Sequence, residues 1–188
     1  MKTSILSLLL AATTAYAKTD YTTNFDNLNQ GKLTPNPLRE LTYGDEFQIG
    51  TYAVQASNEN AKSKKLLFSG PRAVGESSGR IKIAPESKAD RFTLKSVQIG
   101  CSGKKTGGKK KTVPCELEIL GMRPSQNFVS KTVKYTDTKS LLTLDGLDED
   151  LWGLHSVSVK VVSAGKGGEL KEDVTLLVDS LQYFVGDE

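Results

Sequence analysis

Histidine occurs once and cysteine twice in 188 residues. A single imidazole excludes multi-histidine metal centres. A Ser-His-Asp triad could be built only on His155, with Ser and Asp brought to it in space. His155 falls in phase with Val157 and Val159, which predicts a core or barrel-edge imidazole. No apolar run approaches the roughly 20 residues needed to cross a bilayer as a helix, so no transmembrane segment is expected. No Asn-x-Ser/Thr sequon occurs, so N-glycosylation is not expected. A sustained 3.6-residue apolar period is also missing beyond residue 17, which leaves little room for amphipathic helices.

What is present begins with Lys2, a short apolar run from Ile5 to Ala12, and Ala15-Tyr16-Ala17. This is the pattern of a secretory signal peptide cut after Ala17, so the mature chain is expected to be secreted and extracellular. Residues 18–188 have the length of one domain. Position 18 is Lys, which argues against copper-dependent polysaccharide oxidation, a chemistry that needs histidine as the first mature residue. With Lys2 removed from the 25 basic residues, 24 face 22 acidic ones. Five lysines between Gly103 and Lys111 (Lys104, Lys105, Lys109, Lys110 and Lys111) outnumber that net charge, so the positive charge is local.

In an oxidising compartment the lone pair Cys101 and Cys115, in matched inward phase on strands expected to be adjacent, is expected to bond to itself. The bond would pin both ends of the lysine segment and make it a positive knob outside the strands. Such a knob can hold an anionic polysaccharide, acidic lipid or nucleic acid through charge alone. It has no aromatic or arginine with which to read a nucleic-acid sequence, and a solvated connector is the alternative reading. Lys104-Lys105 is also a dibasic processing candidate.

Short alternating segments recur along the chain: Phe47 to Thr51, Ile81 to Ile83, Phe92 to Leu94, Val97 to Cys101, Cys115 to Ile119, Val129 to Tyr135, Leu142 to Leu144, His155 to Val161 and Val174 to Val178. The last runs on into Tyr183, and the phase slips at Lys95-Ser96, which predicts a bulge. Turns are expected at Thr34–Pro37, Ser69–Pro71, Ser77–Gly79, Arg123–Ser125 and Gly165–Gly168. The pattern predicts an all-β fold, a β-sandwich of jelly-roll type with about eight or nine strands and no second domain.

Asn24-Phe-Asp-Asn-Leu28 at the start, Asn36-Pro37 on a loop, Phe92 to Cys101 as F-x-L-x-S-x-x-I-G-C, and Val178-Asp-Ser-Leu-Gln-Tyr183 at the end resemble the frame of galactose-binding-like jelly rolls. That frame occurs in small secreted fungal proteins and in many carbohydrate-binding modules. The resemblance implies binding rather than catalysis. It also implies a structural calcium where first and last strands meet, at Asp26 and Asp179; the alternative is that Asp26 caps a turn and Asp179 faces water. Asp145–Asp150 lacks calcium-loop spacing and reads as a solvated turn.

A neutral sugar would pack its C–H face on an exposed ring, for which Trp152 is the first candidate and Tyr43 and Tyr52 the next. The leading expectation is a monomeric, non-catalytic binder of glycan or another cell-surface component. An effector-type protein acting on a host protein is the alternative, and a glycoside hydrolase working through two carboxylates is third.

Overall fold

A computed structural model describes residues 18–52, 64–104, 110–125 and 127–186. The expected signal peptide, Lys105 and Lys109 lie outside the described residues, as do the side chains of Tyr52, Lys104 and Lys110. Thirteen strand segments are present among the described residues: β1 (Thr19–Thr23), β2 (Gly31–Lys32), β3 (Leu41–Tyr43), β4 (Phe47–Tyr52), β5 (Lys64–Ser69), β6 (Ser77–Ile83), β7 (Phe92–Lys104), β8 (Lys110–Thr112), β9 (Cys115–Met122), β10 (Phe128–Tyr135), β11 (Leu142–Leu144), β12 (Ser156–Ala164) and β13 (Thr175–Val185). Alternation finds the long ones. The segments it leaves out are β1 and β5 and the two- or three-residue pieces β2, β3 and β8, too short to show a period.

The strands form two antiparallel sheets. Sheet A runs β11-β7-β13-β5-β4-β2, with β1 added to β13 and β8 to β7; sheet B runs β10-β9-β12-β6-β3. From β5 to β9, and again from β10 to β13, the chain changes sheet at each long strand. Strands β6 and β12 pair in sheet B while their successors β7 and β13 pair in sheet A. This wrapping is a jelly-roll β-sandwich. The core lies between the sheets. Leu94, Val97, Ile99, Leu176 and Val178 meet Ile81, Ile83, Leu117, Ile119 and Val157 in one buried cluster.

The phase slip at Lys95 is real and has a counterpart. Register advances by an extra residue on β13 between Asp179 and Gln182, then by one on β7 between Leu94 and Ser96, so two opposed bulges cancel and pairing resumes at Tyr183–Leu94. Ser180, inside the β13 bulge, has φ 47°.

Four expectations need correction. Ser77–Gly79 is not a turn but the start of β6; the turn falls at Val74–Glu76, where Gly75 has φ 96°. His155 is exposed, because Leu154 takes the buried position and the β12 alternation starts only at Ser156. The basic segment is not outside the strands: Ser102–Thr112, Gly103–Lys111 and Lys104–Lys110 pair as a hairpin, so three of its five lysines sit on β7 and β8. The two cysteine strands are inward-facing but not neighbours. Cys101 on β7 and Cys115 on β9 belong to opposite sheets, and their disulfide spans the sandwich, with Cα atoms 6.2 Å apart.

Candidate functional site

The residues of the Asn24–Leu28 motif are largely structural. Phe25 is fully buried and meets the Tyr43 ring edge-on at 6.2 Å; Leu28 closes the turn by donating its N–H to the Phe25 carbonyl. Asp26 is exposed, and its Oδ1 accepts the Lys65 N–H at 3.1 Å, capping the start of β5.

Asp179 does not face water. It is 2% exposed, with Oδ1 accepting the Ser180 N–H at 2.7 Å within the bulge. Calcium takes six to eight oxygens. Among the described residues no group of three or more His, Cys, Asp or Glu gathers to hold a metal, and both proposed ligands already serve the backbone. The side chains present do not build the calcium site that the resemblance implied.

Tyr43 cannot be a sugar platform. It is 1% exposed because the strict alternation of β3 turns Leu41 and Tyr43 into the core and Thr42 outward. Burial pushes its phenol pKa well above the ordinary value, with nearby Tyr183 adding to the rise. Trp152 is 45% exposed, and the Arg123 guanidinium lies over one face of its ring at 4.0 Å while Nε donates to the Trp152 carbonyl at 3.2 Å. The acidic turn is solvated, as its composition implied, apart from Leu147, which anchors it in the core.

The sequence did not point to the site that the fold assembles. On the outer face of sheet B, at its β3 edge, an open cleft of about 470 Å³ is lined by Asn36, Thr42, Glu46, Arg80 and Lys82 among others. Its floor follows from alternation: Thr42, Arg80 and Lys82 all point away from core residues Leu41, Tyr43, Ile81 and Ile83. One wall is the carboxamide of Asn36. Its Oδ1 accepts the Tyr43 N–H at 3.0 Å and its Nδ2 donates to the Tyr43 carbonyl at 2.8 Å, so a side chain covers the free edge of β3 as a strand would.

Before β3, Arg39 and Glu40 both have positive φ (49° and 68°), and Leu38 and Leu41 exchange backbone hydrogen bonds across them, the geometry of a tight two-residue hairpin. The Tyr183 hydroxyl donates to the Arg39 carbonyl at 2.6 Å and ties this turn to β13.

The opposite wall is Glu46. Its Oε1 accepts the Arg80 N–H at 2.8 Å, and its carboxylate lies so close to Gly44 that a Cβ there would collide with it. Gly44 in turn donates to the Arg80 carbonyl at 2.8 Å. Thr42 Oγ1, buried behind the lining, has no hydrogen-bond partner among the described residues. Register continues the Thr42 row across the sheet through Lys82, Ser156 and Met122 to Phe128, which is 63% exposed. Four strand spacings make that row about 19 Å long.

Gly75-Glu76-Ser77-Ser78-Gly79 has Gly-x-Ser-x-Gly spacing, but it leads from a turn into strand β6, whereas a nucleophile elbow leads from a strand into a helix.

No protein-family model matches the chain, and no curated protein matches it. Among solved structures, the chain is similar to a DUF4465 family protein from Bacteroides caccae, with 11% identity, TM-score 0.49, and 98% of this chain and 99% of that one covered. It is similar to an exo-β-agarase at 11% identity and TM-score 0.46, where 88% of this chain covers a quarter (25%) of the other. A third is the CBM22-1 xylan-binding domain from Paenibacillus barcinonensis, with 11% identity, TM-score 0.42, and 85% and 94% covered. None of these likenesses assigns a ligand to this chain.

Proposed function

We propose that this protein is a secreted, non-catalytic binder that holds glycan in the cleft on the outer face of sheet B. The observation that carries this reading is a cleft open to solvent whose lining holds exposed hydrogen-bonding side chains, those of Arg80 and Lys82. Sugar hydroxyls need such groups, and the row leading to exposed Phe128 offers an apolar surface for a ring face. Trp152, with one face free of Arg123, is a further stacking position.

Hydrolysis finds less support, since a glycosidic general acid needs a desolvated carboxyl. The Asp45 side chain is 92% exposed and paired with Lys32 at 3.7 Å, and Glu46 is occupied by the Arg80 N–H. Secretion is supported by the Lys2 to Ala17 segment and by the fit of the new terminus: β1 begins at Thr19, and Lys18 Nζ lies over the Phe184 ring at 3.6 Å.

Retention of the mature protein on a panel of soluble and insoluble polysaccharides tests the reading. Saturable binding to at least one polymer is expected, with loss on Thr42→Tyr, which fills the cleft. Absence of binding across the panel refutes it.

A second reading, action on another protein, is favoured by one observation. Phe128 is exposed on β10, which among the described residues pairs with β9 alone and so offers a free edge at the end of sheet B. Phe128→Ser removes protein binding in that case, and Thr42→Tyr leaves it intact.

A further inference from the structure

The outer face of sheet B carries four cations on β6, β10 and β12, and they divide into two kinds. Lys160 stands opposite Glu118 and Lys134 opposite Glu116, each cation beside a carboxylate across the ladder. Arg80 and Lys82 have no such neighbour. Arg80 stands opposite Ser158, and Lys82 opposite Ser156 and Thr42, so their cross-strand neighbours are hydroxyls. These two cations are the ones that line the cleft. They share a face two residues apart on one strand, about 6.6 Å along it, and no acidic residue stands opposite either of them across the ladder.

The lining also holds two carboxylates, but neither is spent on Arg80 or Lys82. Asp45 is directed to Lys32, and Glu46 serves the Arg80 backbone amide; neither cation forms an ion pair among the described residues. Among the described residues, the cleft therefore presents a guanidinium fork and an ammonium with no ion-pair partner. A planar carboxylate is the group such a fork takes in two parallel hydrogen bonds.

We propose that the cleft selects an acidic polysaccharide, with Arg80 and Lys82 holding the carboxylate of a uronic acid residue. This rests on the glycan reading and narrows it to a ligand class. The site is on sheet B, whereas Lys104, Lys110 and Lys111 belong to the paired ends of β7 and β8 in sheet A.

The test compares retention of the mature protein on polygalacturonate, alginate and glucuronoxylan with retention on their carboxyl-reduced forms, which keep the linkages and lose the charge. The parent protein is expected to bind at least one acidic form roughly tenfold or more tightly than its reduced form, as one charge-assisted hydrogen bond supplies. The double variant Arg80→Gln, Lys82→Gln should fold, since both side chains are exposed, and should bind both forms equally. A variant with the five hairpin lysines changed to Ser should keep the preference. If the parent binds reduced and acidic forms alike, or if the preference survives in the double variant or vanishes in the hairpin variant, the acidic-ligand assignment is overturned while glycan binding stands. If no polymer binds in either form, the glycan reading falls with it.

Discussion

Removing the Cys101–Cys115 disulfide tests how the two sheets are held at one end of the sandwich. The bond joins residues 14 apart in sequence, across the segment that contains the lysine hairpin, and both half-cystines are buried, at 0% and 6% exposure. In the chain-entropy account, closing a loop of this size restricts the unfolded chain by about 3 kcal/mol. Against a total stability of roughly 5–15 kcal/mol, that is between a fifth and more than half of what holds the fold.

A domain this long loses roughly 2–4 °C of melting temperature per kcal/mol, so the double variant Cys101→Ala, Cys115→Ala should melt about 6–12 °C below the parent. Alanine suits the site because each sulfur packs in the apolar core. Melting followed by circular dichroism, with and without reductant, is the assay. Reduced parent and double variant should melt together, and intact parent should weigh two hydrogens less than the reduced form. A variant melting within about 2 °C of the oxidised parent would show that the cross-link contributes no loop entropy and would sink the reasoning.

Three further outcomes are expected. Gly79→Ala places a Cβ in collision with the ring edge of core residue Phe47, an overpacking that should cost about 1–3 kcal/mol in chemical denaturation; an unchanged midpoint would mean the ring swings aside freely. Tyr43, Tyr135 and Tyr183 all have phenol pKa values raised by burial, Tyr135 to about 12. The unfolded chain loses these protons near pH 10 while the folded one keeps them, so stability should fall as pH rises from 10 towards 12, with the three phenolates appearing together with unfolding; smooth titration of all tyrosines near pH 10 with the fold intact is the contrary result. Chelators should leave the melting temperature unchanged, because Asp26 and Asp179 are engaged by backbone amides; a drop reversed by millimolar calcium would restore the metal site that the resemblance implied.

Strand identity was written in the order of the residues. Alternation at Phe47, Ile81, Cys115 and Val174 reports which side chains avoid water, and that preference is local, so it survives without knowledge of neighbours. The slip at Lys95 is local too, because a bulge turns every later side chain on its own strand to the other face. Partnership is not local. An inward phase at Cys101 and Cys115 is the same whether two strands lie side by side or face each other across a core, and only the wrapping of β7 and β9 into different sheets decided between them.

The same limit governs the site. Tyr43 is an aromatic whose three-residue strand carries too little pattern to show that it points inward, and Asp179 sits in a bulge that buries it. Arg80 and Lys82 are two ordinary cations in the sequence. Their lack of acidic partners exists only through cross-strand register, which puts serine and threonine opposite them and glutamate opposite Lys160 and Lys134. Periodicity determined the faces of the strands; pairing between residues far apart in the chain determined what each face meets, and so where a ligand can be held.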